Sequence, residues 1–276
     1  MKNVVLIDFT NESFHALEYA IDFTKATGGD LELFNVASPE DYNDKLKQLQ
    51  LLKEAKDSDD FKLIITEKIG TLDEDVPEYI NQNKDKIGFV FCGTHNKRWI
   101  ETIIKSRALK LLHDTHAHFI FIPQTLKHFR PIKHVVTTIS NDPQTLQKIR
   151  VLRFLGHALE FKLTFCTYNT NDPQEKAQLN QRIDMAKDIL KGMKNIDIHV
   201  EYIADKPNDV LEKFEDYART HKADLVAFIH RSDPGMFSGH LTRFVEAIIR
   251  NEHEMPVIAV QDIPTVLLDN FRAIAV

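Results

Sequence analysis

The feature that most constrains this chain is an order of strand, polar turn, helix and strand that occurs twice, about 130 residues apart. The first copy reads VVLIDFTNESFHALEYAIDFTKATGGDLELFNV, and the second reads HVVTTISNDPQTLQKIRVLRFLGHALEFKLTFCTY. A repeated order of this kind indicates that one folding unit occurs twice. We therefore expect two similar domains, 1–126 and 127–276, with the boundary near Leu126, where two prolines flank a stretch without clear periodicity.

Each copy continues as an alternation of apolar strands and amphipathic helices. The strands VVLID and HFIFIP are apolar along their whole length, which is typical of a parallel sheet covered on both faces. Asn11 or Ser13 is expected to cap the first helix, and Gly28 with Gly29 to end it. The sequence thus predicts an α/β fold, in which two tandem repeats of a five-stranded parallel sheet are flanked by helices. The strands predicted in the first half are 4–8, 30–36, 61–70, 88–93 and 118–123.

Composition argues against two classes of function. No apolar run approaches the roughly 18 residues that a membrane span requires, so we expect no membrane partner. The start MKNVVLIDFTNES carries no small-residue cleavage site, and a cytoplasmic protein is expected. A net charge of −6 gives no general attraction to nucleic acid. Cys92 and Cys166 lie in apolar runs and are expected to be buried thiols.

Four features together resemble the universal stress protein family: an aspartate that ends the first strand in DFT, a long first helix, a second strand that closes with NV, and Gly-Thr-His after the fourth strand. Because the resemblance covers both halves, the chain looks like a tandem member of that family. The resemblance implies an adenine-nucleotide alpha-hydrolase-like fold around a five-stranded parallel sheet. It also implies ATP binding in many members, through the pattern strand-G-x2-G-x9-G-[S/T].

Carried onto this chain, the resemblance implies a nucleotide cleft in the first half, but its glycine pattern is incomplete. Asn96 stands where the family has its second glycine, and, because the spacer is about one residue short here, Lys105 stands where the family has its third. A side chain at these turns takes space that phosphates need, although the charge of Lys105 would offset part of that loss. No cofactor is therefore expected, and ATP in the first domain is the alternative. The candidate ligand-binding residues are Asp8, Thr10, Val36, Gly93, Thr94, Asn96, Lys105 and Ser106.

The second half departs further from the pattern. Thr138 is expected at the position of Asp8, and Ile229 at the position of Gly93. Asp233 adds negative charge where phosphates would sit, and the nearby glycines do not have the motif spacing. We expect no ATP binding in this half.

The His cluster in LLHDTHAHFIF is the other candidate for chemistry. Strand alternation places His116 and His118 on one face, and His113 ends the preceding helix, so three imidazoles are candidates for a metal site. The alternative is that His113 interacts with its helix end while the others lie on a solvated strand end. Trp99 and His240 are read either as contacts of a small ligand or as ordinary packing and surface residues.

The expected function is that of a non-enzymatic, cytoplasmic stress-response protein that acts by binding a ligand or an unidentified protein partner. No catalytic triad order, HExxH motif or complete P-loop occurs in the sequence. The alternative is an ATP-binding switch or weak ATPase that uses the first-domain cleft. Family members commonly pair through the fifth strand, so the two halves are expected to form a pseudo-dimer, and the chain is a candidate for further homodimerisation.

Overall fold

The computed structural model describes residues 1–94, 105–126, 129–230 and 255–261, without the side chains of 105–109 and 230. The chain divides between Phe129 and Arg130 into two compact units. The predictions for Asn96, Trp99, Asp233 and His240 lie outside the described residues. Among the described helices, none is both long and apolar enough to cross a membrane.

The first unit is a parallel sheet with helices between its strands. The strands lie in the order β3, β2, β1, β4, β5, and every neighbouring pair is parallel. The elements are β1 (Lys2–Leu6), α1 (Asn11–Thr27), β2 (Asp30–Ala37), α2 (Tyr42–Lys56), β3 (Leu63–Ile69), α3 (Leu72–Gln82), β4 (Ile87–Thr94), α4 (Lys105–Asp114) and β5 (His118–Pro123).

The second unit repeats this arrangement. Its parallel strands lie in the order β8, β7, β6, β9, β10. The predicted fold class, two α/β repeats with five-stranded parallel sheets, is confirmed. The elements are β6 (His134–Thr138), α5 (Thr145–Gly156), β7 (Phe161–Tyr168), α6 (Pro173–Ile189), β8 (Ile196–Ala204), α7 (Pro207–Thr220), β9 (Leu225–His230) and β10 (Val257–Gln261).

The start of the first helix differs from the prediction. The N-cap is Thr10, whose hydroxyl oxygen accepts a hydrogen bond from the Ser13 backbone at 3.3 Å. The prediction that Asn11 or Ser13 caps the helix is wrong, because β1 ends at Leu6 and the turn that follows brings Thr10 to the cap position. Gly28 ends the helix as predicted, with a φ of +81° that favours glycine.

Aromatic rings hold α1 against the sheet of the first unit. The ring of Phe23 lies 5.5 Å from that of Phe89 and 5.2 Å from that of Phe91, both edge to face. Tyr19, one turn earlier on the helix, lies 6.3 Å from Phe91. All four side chains are almost fully buried, so they fix the position of α1 over β4. This packing sets how closely the first turn of α1 approaches the end of β4.

A buried ionic network ties three strands and α3 together. The carboxylate of Glu32, which is 1% exposed, lies 2.6 Å from the ammonium of Lys2. It also accepts hydrogen bonds from the hydroxyls of Tyr79, at 2.5 Å, and Thr66. The Lys2 ammonium donates to the Tyr79 oxygen at 2.8 Å. Since these groups satisfy one another near the amino end of β1, we assign the network a structural role.

Candidate functional site

The first-unit candidates gather at the carboxyl ends of the parallel strands. The order of strands reverses between β1 and β4, and in open α/β sheets ligands bind in the crevice at such a reversal. Asp8 and Thr10 follow β1, whereas Gly93 and Thr94 end β4. Val36 lies one strand further, near the end of β2. The structure therefore brings these five candidates to one edge of the sheet.

Asp8 holds the turn that opens α1. One oxygen of its carboxylate accepts hydrogen bonds from the Thr10 backbone at 3.0 Å and from the Thr10 hydroxyl at 2.5 Å. Between them Phe9 has a φ of +64°, which is rare for a bulky residue. Asp8 and Thr10 are both exposed. The Asp8 side chain thus has a local structural role and still faces solvent.

Gly93 is explained by packing. A Cβ atom placed on Gly93 would lie 2.3 Å from the carbonyl oxygen of Glu12, which is closer than real Cβ contacts allow. The neighbouring Thr94 is 7% exposed, and its hydroxyl donates to the Ile122 carbonyl at 3.3 Å. Both residues therefore support the packing of α1, β4 and β5 against one another. This structural role explains their presence without a ligand.

Cys92 precedes this junction, is half-buried rather than buried as predicted, and remains a thiol. Burial, and then the negative charge of Asp8, raise the pKa of Cys92 to about 12. Burial likewise raises the pKa of Cys166, which is fully buried. Neither cysteine supplies a reactive thiolate near neutral pH.

The structure describes only part of the segment that was predicted to bind the phosphates. Lys105 and Ser106 belong to the start of α4, where only the backbone is described. Asn96 lies outside the described residues. These three candidates therefore remain predictions.

In the second unit the strand register corrects one of the predicted equivalences. Just after β1, the backbone N–H of Ile7 donates to the Phe34 carbonyl. Just after β6, the backbone N–H of Ile139 donates to the Cys166 carbonyl. The next residue along is Asp8 in one unit and Ser140 in the other. The prediction that Thr138 stands at the Asp8 position is wrong by two residues, because Thr138 is the last residue of β6.

The same comparison agrees with the predicted position of Ile229. Val4 and Val5 pair with Val90 and Phe91 in the first unit. The residues at the equivalent positions of β6 pair with Val226 and Ala227 in the second unit. Ile229 is therefore the residue equivalent to Gly93. A large side chain therefore replaces the glycine, and α5 begins at Thr145 after a turn of i to i+3 hydrogen bonds.

The structure separates the three histidines of the candidate metal cluster. The His113 ring is exposed and lies 3.0 Å from the Asp114 carboxylate. His116 is exposed, and its backbone N–H donates to Asn81. His118 is 2% exposed, and burial lowers its pKa to about 4. In the described part of the chain, no three metal-binding side chains come together.

Sequence reasoning missed a buried lysine at the equivalent edge of the second unit. Lys148 is 2% exposed, and its ammonium donates to the Thr138 hydroxyl at 2.9 Å. Burial lowers its pKa to about 7, against the opposing charge of Asp142. The only signal in the sequence is its place in QKIRVLRFL, where Lys148 falls on the apolar face of α5.

Comparisons with solved structures agree with this fold. A universal stress protein from Archaeoglobus fulgidus matches with a TM-score of 0.70 at 15% identity, over 95% of this chain and 98% of that chain. A protein of unknown function from Pseudomonas aeruginosa matches with a TM-score of 0.58 at 13% identity, over 99% of this chain and 96% of that chain. No family model and no curated protein matches the sequence. On the likeness of structure, the chain has the universal stress protein fold.

Proposed function

We propose that the protein is a cytoplasmic, non-enzymatic stress-response protein that acts through ligand or partner binding and does not bind ATP in the manner of its fold family. The fold supports the general class of function, since it is shared with a universal stress protein over nearly the whole chain. Fold alone does not fix activity, so the finer proposal rests on the residues of the clefts.

The observation that carries the proposal is the use of the first-unit cleft residues by the fold itself. The Asp8 carboxylate holds the Thr10 turn, and Gly93 gives room to the Glu12 carbonyl. In the second unit, Ser140 and Ile229 replace the acid and the glycine. Among the described residues, Asp8 and Gly93 therefore have structural roles in the first unit, and neither residue type is kept at the equivalent position of the second.

The alternative function is an ATP-binding switch or weak ATPase in the first-unit cleft. Its support is the exposure of Asp8 and Thr10, which leaves them open to a ribose or a phosphate. The two functions differ in whether ATP binds at all, so a binding measurement separates them.

We further propose that β5 and β10 pair the two units as a pseudo-dimer. Both strands are apolar throughout apart from their ends, as expected of strands that are covered. Limited proteolysis in 124–133 followed by size exclusion tests this pairing. The two fragments should elute together, and separate soluble halves would contradict it.

Genetic complementation tests the cellular role. A strain that lacks the gene is challenged with oxidant, acid, heat and starvation, and survival is compared after return of the wild-type or the Asp8→Asn protein. The substitution removes the charge but keeps an oxygen that accepts from Thr10. We expect reduced survival under at least one stress and rescue by both proteins. Survival equal to that of the parent under every stress, or rescue by the wild type alone, would count against the proposal.

A further inference from the structure

In the first unit, two neighbouring side chains on β2 and β3 carry buried acceptor oxygens. Asn35 and Glu67 are register partners in the parallel pair, so their side chains project from the same face of the sheet. Asn35 is 4% exposed. The Asn35 amide oxygen and both Glu67 carboxylate oxygens are buried, and none of the three has a hydrogen-bond partner in the described chain. Such groups are costly unless a donor satisfies them.

The orientation of the Asn35 amide is fixed by its other end. Its nitrogen donates to the Ile7 carbonyl at 2.5 Å, on the side of β1. A reversed amide would set two oxygens against each other, so the amide oxygen is the end that is left without a partner. Two register partners therefore carry three acceptor oxygens that no described donor satisfies.

A cation already lies beside this pair. The ammonium of Lys45, on α2, is 4.5 Å from the centre of the Phe9 ring, a cation–π distance. Lys45 interacts electrostatically with Glu67, but no hydrogen bond or ion pair joins the two side chains. Phe9 has a positive φ of +64° in the turn after β1. The Lys45 ammonium thus lies against the Phe9 ring and in the field of the Glu67 carboxylate, a region that favours positive charge.

The second unit lacks the feature. The counterparts of Asn35 and Glu67 are Thr167 and Tyr202, which are register partners in β7 and β8. The Thr167 hydroxyl donates to the Ile139 carbonyl at 2.8 Å, as Asn35 does to Ile7. Tyr202 is 53% exposed and leaves no buried carboxylate. A side-chain hydrogen bond to the carbonyl of the residue after the first strand occurs in both units. The acceptor oxygens without a partner occur only at the first-unit pair.

We propose that Asn35, Glu67 and Phe9 form a binding site for a small primary ammonium ligand in the first unit. A primary ammonium has three N–H donors, and the site offers three acceptor oxygens. The carboxylate supplies the opposite charge, and the Phe9 ring supplies a cation–π face. The site lies under α2, one strand away from the crevice between β1 and β4. This inference rests on the proposed function, since it names a ligand class for the binding role.

Entry requires only a local movement of α2. Of the fifteen residues of this helix, Leu49 alone is buried, and Leu51 is 56% exposed. A helix with so few buried apolar side chains opens at low cost in free energy. We therefore expect α2 to admit the ligand while the sheet stays intact.

Nuclear magnetic resonance titration of the full chain tests the site. The probe is n-butylammonium at constant ionic strength and about pH 8, because burial raises the pKa of Glu67 and the carboxylate must be ionised. Tetramethylammonium has the same charge without N–H donors and is the control ligand. We expect saturable shifts of the Asn35 side-chain amide with n-butylammonium and none with tetramethylammonium.

Matched variants decide which groups are responsible. Glu67→Gln keeps the side-chain shape and should weaken binding about tenfold or more, whereas Glu40→Gln, at an exposed acid before α2, should leave it unchanged. Lys45→Met removes a competing ammonium and should strengthen binding. Equal shifts with both cations, unchanged binding in Glu67→Gln, or no saturable shift in Lys45→Met would overturn the site. None of these results bears on ATP, so the ATP titration judges the proposed function separately.

Discussion

The carbonyl oxygen of Glu12 and the α-carbon of Gly93 are so close that a methyl group on Gly93 would lie 2.3 Å from that oxygen. The first turn of α1 reaches this position because aromatic packing holds the helix over β4. In the first unit, the packing of α1 against β4 therefore requires a glycine at this position, whether or not a phosphate ever binds there.

Gly93→Ala should lower the free energy of unfolding by about 1–3 kcal/mol, because the new methyl group forces α1 and β4 apart. Urea denaturation followed by circular dichroism measures the change. Gly28→Ala is the comparison, since nothing lies within 4 Å of a Cβ there and only the positive φ is unfavourable. Its φ of +81° and ψ of 170° lie in a region that is essentially restricted to glycine, so the variant should cost about 1–3 kcal/mol through the backbone alone. Unchanged stability of Gly93→Ala would show that the contact does not constrain this position.

The fold was predictable because its signals are periodic and local. The sequence pattern predicts α1 at Asn11–Thr27, and the apolar run HFIFIP predicts β5 at His118–Pro123. The end of β1 was less predictable, because an apolar run does not show where a side chain such as Asp8 begins to hold a turn. The same uncertainty caused the misplaced equivalence of Thr138, since only strand register identifies Ser140.

Lys2→Met should destabilise the first unit by about 3 kcal/mol, because it leaves the Glu32 carboxylate buried without its countercharge. Adding Glu32→Gln to this variant should restore part of the loss, since the charge is then gone while a polar group still meets Tyr79 and Thr66. Chemical denaturation of the two single variants and the double variant gives the coupling. Additive losses would contradict a shared network.

Lys148→Met should stabilise the protein at pH 7 by about 1–4 kcal/mol, because it removes a buried ammonium. Burial lowers the folded-state pKa of Lys148 to about 7, while the unfolded value is about 10.4. At pH values between these two pKa values, the unfolded chain binds more protons than the folded chain. The free energy of unfolding of the wild type therefore rises with pH. The advantage of Lys148→Met should therefore shrink from pH 7 to pH 10.

Thermal denaturation across this pH range measures the effect, with Lys187→Met, at an exposed position of α6, as the control. The control should show no pH-dependent gain. If wild type and Lys148→Met respond to pH identically, Lys148 does not titrate in the folded protein as described.

The candidate sites were less predictable than the fold, because they depend on contacts between distant residues. Nothing in the local pattern around Asn35 or Glu67 indicates that β2 and β3 place them side by side. In the sequence, Lys148 is one of several polar residues in its helix. Only its burial beside Thr138 in the structure distinguishes it from the others. The local pattern around Gly93 does not show its packing role either, since only the approach of the Glu12 carbonyl to the end of β4 reveals it.

Calorimetric titration of the full chain with ATP and Mg²⁺ shows whether the first-unit cleft binds a nucleotide, with Asp8→Asn as the matched variant. The variant keeps an acceptor for Thr10 and removes the charge of the carboxylate that follows β1. We predict no saturable heat for either protein at millimolar ATP. Micromolar binding by the wild type that is lost in Asp8→Asn would contradict the account and establish the first-unit cleft as a nucleotide site.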